Sequence, residues 1–214
     1  GKVKRWIQLS SAGVYGDPKD EIITEKSPLS PKTPYEISKA SFDKILNDVA
    51  IENKLDFVIL RPTIIFGSRM TNQSMFQLVR AIKRNIFFFI GSPGYFANYI
   101  HVNDVVNALM LSAVKPKNAK NIYNISNKIT IEKLIAIICQ ALYIPTPKLR
   151  LPLFVVKPLV IILGWLPFVS LTSSRLKALT SKTQYSTELI EKNLGFKFEV
   201  PLRDGLNSFV KHFL

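Results

Sequence analysis

Two short stretches of the chain are almost continuously apolar, residues 5–11 (RWIQLSS) and residues 56–62 (DFVILRP). Such runs are typical of strands that are covered on both faces in a parallel sheet. Between them, a helical pattern extends from about Pro34 to Asn53. The apolar side chains predicted to face inward recur at helical spacing. They are Ile37, Ile45, Leu46 and Val49.

The start of this helix is strongly marked. Thr33 is a suitable N-cap, and Pro34 suits the first helical position, where no backbone N–H is needed. Glu36 completes the T-x-x-E pattern of a capping box, in which two backbone donors at the helix end are satisfied. The pattern therefore predicts a helix that begins at residue 34.

The same alternation continues further along the chain. Residues 74–85, 103–114 and 130–142 have helical periodicity, the last opened by Thr130 as N-cap, and residues 121–126 (NIYNIS) predict another short strand. Strands that alternate with helices indicate an α/β fold with a parallel sheet. From about Ile144 onward, prolines and apolar clusters replace this rhythm, which predicts a smaller C-terminal lobe.

Composition is that of a folded globular protein, with 214 residues, 47% hydrophobic and 21% charged. The single cysteine, Cys139, excludes a disulfide framework and fits a reducing, cytoplasmic compartment. With only two histidines and one cysteine, no metal site is expected.

The net charge of +14 favours an anionic partner: nucleic acid, anionic lipid or a phosphorylated small molecule. The basic residues are scattered along the sequence, and no segment interleaves them with aromatic residues as a nucleic-acid-binding stripe would. We therefore predict no nucleic-acid partner. A solvated basic surface is the simpler interpretation.

One apolar run, residues 151–169, approaches the length of a membrane-spanning helix. It is interrupted by Lys157 and by three prolines, Pro152, Pro158 and Pro167. We interpret it as buried or interfacial helices, and peripheral membrane contact stays open as an alternative.

Tyr35 and Lys39 lie one helical turn apart at the start of the first predicted helix and share a face. A tyrosine that transfers protons near neutral pH needs its pKa of about 10 lowered by about three units. A lysine ammonium about 4 Å away is able to supply roughly that much at an effective dielectric constant of about 20. The pair is thus capable of acid–base chemistry, although most pairs at this spacing have no such role.

The neighbouring segments favour a catalytic role for the Tyr35–Lys39 pair. The first predicted strand runs into SSAGVYG (residues 10–16), and the second ends in RPTIIFG (residues 61–67). Ligand sites of open α/β sheets lie at the carboxyl ends of the strands, so both segments are expected beside Tyr35. There, Ser11 is placed to hydrogen-bond a substrate oxygen while Tyr35 transfers a proton.

SSAGVYG, YEISK (residues 35–39), RPTIIFG and NYIHVNDV (residues 98–105) occur in this order, with Tyr35 24 positions after Ser11. In these motifs the chain resembles the extended short-chain dehydrogenase/reductases, and more narrowly the NAD-dependent epimerase/dehydratase family of nucleotide-sugar enzymes. The resemblance spans nearly the whole chain and is strongest from Lys4 to Val106. It implies a Rossmann fold, that is, a doubly wound parallel sheet, with a substrate lobe.

The resemblance also implies the roles of individual residues. Tyr35 is the catalytic acid/base, Lys39 assists it and holds the ribose of NAD or NADP, and Ser11 orients the reacting oxygen. The residues implied to contact the cofactor are Ser10, Tyr35, Lys39 and Pro62. Those implied to contact the substrate are Ser11, Thr63 and Arg175, with Arg175 as an anion contact. His101 is implied to be structural.

The chain departs from the family in lacking a glycine-rich turn that cradles the cofactor pyrophosphate. We therefore expect a partial Rossmann domain, from which about 100 residues of the first, dinucleotide-binding half are missing. Residues 1–143 would be its C-terminal part with interleaved substrate-lobe segments, and residues 144–214 mainly the C-terminal substrate-binding lobe. Such a chain alone is expected to bind NAD(H) weakly or not at all, and to be inactive.

Two further departures narrow the reaction. Ala12–Gly13 stands where the family's 4,6-dehydratases have an acid–base pair of carboxyl residues, so that chemistry is not expected. Ile64 and Ala97 stand where many UDP-sugar epimerases have a polar contact and a phosphate-binding arginine. Both replacements favour reduction over epimerisation.

The sequence therefore predicts an N-terminally truncated, NAD(P)-dependent nucleotide-sugar epimerase or 4-keto reductase, serving polysaccharide biosynthesis. The first alternative is an oxidoreductase similar to 3β-hydroxysteroid dehydrogenases and dihydroflavonol reductases, acting on an apolar substrate. The second is a catalytically silent fragment. The expected partner is a small molecule, a nucleotide sugar in the preferred interpretation, and a homodimer stays open.

Overall fold

The structure is a computed structural model that describes residues 3–18, 20–70, 73–114, 122–163 and 172–213. The strands in this part of the chain are β1 Arg5–Leu9, β2 Ile22–Ile23, β3 Asp56–Pro62, β4 Ile64–Phe66, β5 Phe89–Ile90, β6 Phe96–His101, β7 Ile122–Ile125, β8 Asn127–Thr130, β9 Arg150–Leu151 and β10 Gln184–Tyr185. The helices are α1 Pro34–Glu52, α2 Gln73–Lys83, α3 Val102–Val114, α4 Ile131–Ala141, α5 Leu153–Leu163, α6 Ser173–Leu179, α7 Glu188–Leu194 and α8 Leu202–Phe213, with a 3-10 helix at Ala12–Tyr15.

The chain folds into two compact units, each assembled from three segments. The first unit comprises residues 1–66, 98–127 and 183–201, and the second comprises residues 67–97, 128–182 and 202–214. The division of roles between residues 1–143 and 144–214 stays a prediction.

The first unit is built on a parallel sheet in the order β1-β3-β7. Leu9 of β1 is in register with Leu60 of β3, and Pro62 of β3 is in register with Ile125 of β7. This sheet, with helices in the connections between its strands, confirms the predicted α/β fold.

Side chains of β3 alternate between two cores, as expected of a strand covered on both faces. Phe57 and Ile59 pack with Leu46 and Ala50 of α1. The opposite face packs against α3 and α7 in a larger cluster. Its buried members are Val58, Leu60, Ile100, Val105, Ala108, Tyr123, Ile125, Ile190, Leu194 and Phe196.

The predicted inward face of α1 is largely wrong. Leu46 is buried, but Ile37, Ile45 and Val49 are exposed. The buried stripe runs instead through Asp43, Leu46 and Ala50. The physical reason is a charged residue in an inward position: Asp43 forms a buried ion pair with Arg61 of β3, and this rotates the remaining apolar positions outward.

In the second unit, β5 pairs in parallel with β9, and the predicted helices at residues 74–85 and 130–142 are present as α2 and α4. The apolar run 151–169 begins as β9 and α5, while residues 164–169 of that prediction lie outside the described residues. Within the described ranges, every helix is too short or too polar to cross a membrane.

Candidate active site

Three parallel strands of the first unit end at one edge of the sheet, and hydroxylated residues follow each of them. After β1, the Ser10 amide donates to the Leu60 carbonyl at 2.8 Å. After β3, the Thr63 amide donates to the Ile125 carbonyl at 3.0 Å, and the Thr63 hydroxyl donates to Ser126 Oγ at 3.1 Å. This is the sheet edge at which open α/β folds hold their ligands.

Ser11 begins the 3-10 helix that follows β1. Its Oγ accepts a hydrogen bond from the Gly13 amide at 3.0 Å and so acts as the N-cap. A hydroxyl that accepts one hydrogen bond keeps its own O–H for donation. Ser11 is therefore held in place by its backbone neighbour while it retains a donor for a substrate oxygen.

Gly13 lies in a tight space between Ser11 and the first turn of α1. A Cβ at this position would lie 3.1 Å from Glu36 Cγ and 3.2 Å from Ser11 Oγ. Both distances are shorter than ordinary van der Waals contact, so a larger residue requires its neighbours to move. The lack of a side chain at Gly13 thus brings the Ser11 turn against the helix that presents Tyr35.

The capping box predicted for α1 is present. Glu36 Oε2 accepts hydrogen bonds from the Lys32 amide at 2.8 Å and the Thr33 amide at 2.9 Å, and Thr33 Oγ1 accepts from the Glu36 amide at 3.3 Å. Partial burial raises the pKa of Glu36, but the two amide hydrogen bonds outweigh it, so the pKa lies below its ordinary value. A charged Glu36 at the helix start fixes the turn that contains Tyr35.

Tyr35 and Lys39 occupy this helix start together. The Tyr35 side chain is 59% exposed, which leaves its hydroxyl accessible to a ligand. Lys39 Nζ donates to the Leu9 carbonyl at 3.0 Å and lies 5.8 Å from the centroid of the Tyr35 ring. Lys39 is thus anchored to the end of β1. Because an ammonium group has three N–H donors, Lys39 keeps further donors for other acceptors.

A buried polar network lies beside this edge, and sequence reasoning missed it. Arg61 Nε donates to Asp43 Oδ2 at 3.0 Å, and Arg61 Nη1 donates to the Tyr15 hydroxyl at 3.0 Å. The Tyr15 hydroxyl in turn donates to Asn124 Oδ1 at 2.9 Å. All four side chains are buried.

Burial is the main influence on the pKa values of this network. Burial raises the pKa of the Asp43 carboxyl, and the nearby Ser10 hydroxyl and the Arg61 guanidinium offset this only in part. Ser10 Oγ and Asp43 Oδ1 are both buried, and neither has a hydrogen-bond partner among the described residues. Burial also raises the pKa of Tyr15, against the opposing charge of Arg61.

The network holds the candidate active-site residues in place. Asp43 lies one turn beyond Lys39 on α1, and Arg61 immediately precedes Pro62 on β3, so their ion pair fastens the helix to the sheet. The signal for it was present in the sequence. An arginine inside an apolar strand that is covered on both faces has to be paired, because an unpaired buried charge is very costly.

Among the residues with a predicted site role, six belong to the first unit. Ser10, Ser11, Tyr35, Lys39, Pro62 and Thr63 all lie at the ends of β1 and β3 or in the first turns of α1. Arg175 belongs to the second unit, where it is half-buried in α6 behind the Thr172 N-cap. The first unit therefore gathers the predicted catalytic and cofactor positions at one sheet edge, and Arg175 belongs to the other unit.

His101 lies at the end of β6 in a structural setting. Its Nδ1 accepts from the Asn103 amide at 3.3 Å, and its ring packs edge-on against Phe66 at 5.3 Å. Burial lowers the pKa of His101, and the Asp104 carboxylate opposes this. Across the described ranges, no group of three or more histidine, cysteine or acidic residues could hold a metal ion.

Comparison with known proteins shows which family and which fold the chain is similar to. The model of the NAD dependent epimerase/dehydratase family matches residues 1–126. The UDP-glucose 4-epimerase of Vibrio cholerae is 25% identical over 99% of this chain and 64% of that protein. The 3beta-hydroxysteroid-dehydrogenase/decarboxylase isoform 2 of Arabidopsis thaliana is 25% identical over 99% of this chain and 42% of that protein.

Among solved structures, the UDP-glucuronic acid 4-epimerase from Bacillus cereus in complex with NAD has a similar fold. Its TM-score is 0.72 at 16% identity, over 99% of this chain and 61% of that chain. This likeness confirms the predicted Rossmann-type fold. The chain spans less than two thirds of the length of either epimerase.

Proposed function

We propose that this chain, which belongs to the NAD dependent epimerase/dehydratase family, provides the catalytic residues of an NAD(P)-dependent nucleotide-sugar epimerase or 4-keto reductase. The main support is the proximity of three groups at one sheet edge. Tyr35 and Lys39 share the first turns of α1, and Lys39 is bonded to the end of the strand that leads into Ser11. The chain spans only part of the length of its relatives. The activity proposed here is therefore that of the whole protein.

In this proposal, each side chain has one task. The accessible Tyr35 hydroxyl transfers a proton to or from the substrate oxygen, and the Ser11 hydroxyl donates a hydrogen bond to the same oxygen. Lys39, anchored on the Leu9 carbonyl, directs its remaining N–H donors to the ribose hydroxyls. NAD or NADP supplies or accepts the hydride when bound, held by Ser10, Tyr35, Lys39 and Pro62.

The geometry of Gly13 argues against 4,6-dehydratase chemistry. Elimination of water needs an acid and a base beside the serine, and Ala12 is buried while a Cβ at Gly13 would press on Glu36 and Ser11. Ala12 and Gly13 therefore place neither an acid nor a base beside Ser11. Hydride chemistry, with Tyr35 as the proton donor or acceptor, is what these residues support.

A nucleotide sugar is the proposed substrate because the Vibrio cholerae relative and the Bacillus cereus neighbour are both named as UDP-sugar epimerases. Its diphosphate needs a cation, and Arg175 is the proposed contact. A charge-assisted hydrogen bond of about 1.5–3 kcal/mol predicts that Arg175→Ala weakens UDP binding by roughly 10- to 150-fold. Unchanged UDP affinity in calorimetry would remove Arg175 from the proposal.

An oxidoreductase for apolar substrates is the second candidate. It is supported by the Arabidopsis thaliana relative, which covers nearly all of this chain. It is also supported by an open cleft of about 770 Å³ in the second unit, where apolar residues precede or begin α5. The lining residues are Gly91, Ser92, Tyr95, Arg150, Pro152, Leu153, Phe154 and Lys157.

A ligand panel separates the candidates. The whole protein is titrated in a calorimeter with NAD(H) and NADP(H), and then, with cofactor present, with UDP-sugars and with apolar ketones. Binding and turnover of a UDP-sugar support the first candidate, whereas turnover of the ketones alone supports the second. Failure to bind any nicotinamide cofactor would contradict both and leave the catalytically silent alternative.

The proposal includes a cytoplasmic, reducing location, supported by the single buried thiol of Cys139. It also includes a homodimer, supported by the apolar side chains that α1 exposes, Ile37, Ile45 and Val49. Sedimentation of the wild type against Ile45→Asp tests the second point. A monomer in both cases would contradict it.

A further inference from the structure

Helix α5 of the second unit turns an apolar face to solvent. Its inward residues, Val156 and Val160, pack with Ile90 and Leu176. The outward apolar side chains, with their exposed fractions, are Phe154 (79%), Ile161 (67%), Leu159 (48%) and Val155 (38%). Soluble proteins seldom expose so many large apolar side chains on one short helix without a partner for them.

The outward face of α5 has the pattern of an interfacial helix. At 3.6 residues per turn, Phe154, Pro158 and Ile161 lie within about 60° of one another at its centre. Lys157, which is exposed, borders the face on one side. A basic residue at the margin of an apolar face is typical of helices that lie in a membrane surface.

The net positive charge of the chain is concentrated in the second unit, which also contains α5. The second unit contains 14 lysine and arginine residues against two acidic ones, a net charge of +12. The first unit contains 15 basic and 13 acidic residues, a net charge of +2. Nearly all of the net positive charge therefore belongs to the unit that presents the apolar helix, because most of the acidic residues lie in the first unit.

We propose that α5 docks the protein on an anionic membrane surface. Phe154 and Ile161 insert between the lipid headgroups, and the basic side chains of the second unit face the lipid phosphates. A helix of 11 residues extends about 16 Å, roughly half the hydrocarbon thickness of a bilayer, so it lies along the surface. A nucleic acid would bind the positive charge of the second unit, but it would provide no apolar environment for the exposed side chains of α5.

Vesicle flotation tests the proposal independently of enzymatic activity. The whole protein is mixed with vesicles of phosphatidylcholine containing about 30% phosphatidylglycerol, or with vesicles of phosphatidylcholine alone. We expect binding to the anionic vesicles that weakens, without vanishing, at about 0.5 M salt, because charge is screened while apolar insertion persists. Absence of binding to the anionic vesicles at low salt would overturn the proposal.

The decisive variant is Phe154→Ser/Ile161→Ser. It should lower partitioning into anionic vesicles by more than about tenfold, since two inserted apolar side chains are lost. The matched control is Met110→Ser/Val114→Ser on α3 of the first unit, where the side chains are 63% and 76% exposed. The proposal fails if the α5 variant binds like the wild type, or if the control loses as much binding as the α5 variant.

A site-specific probe locates the contact. Phe154→Cys is labelled with an environment-sensitive dye, which is selective because Cys139 is only 1% exposed. Emission should shift to the blue on addition of anionic vesicles, whereas the same dye on Met110→Cys should not respond. An unshifted probe at residue 154 would mean that any vesicle binding is purely electrostatic and that α5 does not dock. Thermal unfolding of each variant near that of the wild type shows that the exposed substitutions leave the fold intact.

Discussion

Two tyrosines of the first unit lie beside a cation, in opposite surroundings. Tyr35 at the sheet edge is 59% exposed, with Lys39 Nζ 5.8 Å from the centroid of its ring. Tyr15 in the network below is 1% exposed, with the Arg61 guanidinium 5.2 Å from its ring centroid. A cation close to an aromatic ring is thus common to both.

The hydroxyl groups differ in what they can still do. The Tyr15 hydroxyl accepts from Arg61 and donates to Asn124, so its proton is committed to a buried partner. Tyr35 is mostly exposed, so a ligand is able to reach it. A neighbouring cation therefore does not distinguish a chemical tyrosine from a structural one, but access to the hydroxyl does.

The largest expected effect is on turnover, from Tyr35→Phe in the whole protein. The rate should fall by about 10²- to 10⁴-fold, because the ring remains and only the transferable proton is lost. Cofactor affinity and thermal stability should stay near wild type, as the side chain is mostly exposed. Steady-state kinetics with calorimetry checks this, and a residual rate above about a tenth of wild type would exclude a general-acid role.

In contrast to Tyr35→Phe, the substitution Arg61→Leu should lower the stability of the fold. Removing one partner of a buried ion pair is expected to lower the free energy of unfolding by about 3–5 kcal/mol, because Asp43 is left buried and unpaired. The exposed pair Lys32–Asp17, at 2.6 Å, is the control, and Lys32→Ala should cost less than about 1 kcal/mol. Urea unfolding measures both, and similar losses in the two variants would contradict the structural role of the network.

Alkaline pH should weaken the fold through its buried tyrosines. Burial raises the pKa of Tyr15 above its ordinary value and raises the pKa of Tyr99 from 10.0 to about 12. The unfolded chain ionises first, so the stability present below pH 10 is lost as the pH rises through about 12. For Tyr99 the loss is on the order of 3 kcal/mol at most.

Urea unfolding between about pH 9 and pH 12 measures this decline, with Tyr99→Phe as the comparison. The variant lacks the ionisable group, so its stability should fall less steeply, while lysine titration affects both proteins alike. Parallel curves for the variant and the wild type would show that Tyr99 is not the cause.

The smallest effect concerns the helix start that presents Tyr35. Thr33→Ala should lower the free energy of unfolding by about 1 kcal/mol, because the Glu36 amide loses its side-chain acceptor. Ser38→Ala, at an exposed position inside α1, is the matched control and should change it by less than about 0.5 kcal/mol. Equal losses would mean that the capping box does not anchor this turn.

Local signals in the sequence predicted much of this architecture. Helix α1 was expected from about Pro34 to Asn53 and extends from Pro34 to Glu52, and Thr130 caps α4 as expected. Strands β1 and β3 lie within the two apolar runs. These features depend on neighbours within a few residues, such as a capping side chain and the next turn, so their causes are visible in the sequence.

What only the tertiary structure decided depends on residues far apart in the chain. The Asp43–Arg61 ion pair joins α1 to β3 across 18 positions, and it sets which face of α1 is buried. The basic residues divide almost evenly between the two units, but 13 of the 15 acidic residues belong to the first unit, so the second unit has a net charge of +12. This uneven division is hard to see in the sequence because each unit is assembled from three separate segments. Helical periodicity identifies an apolar face, but which faces are covered is decided by the packing of distant elements, as the exposed sides of α1 and α5 show.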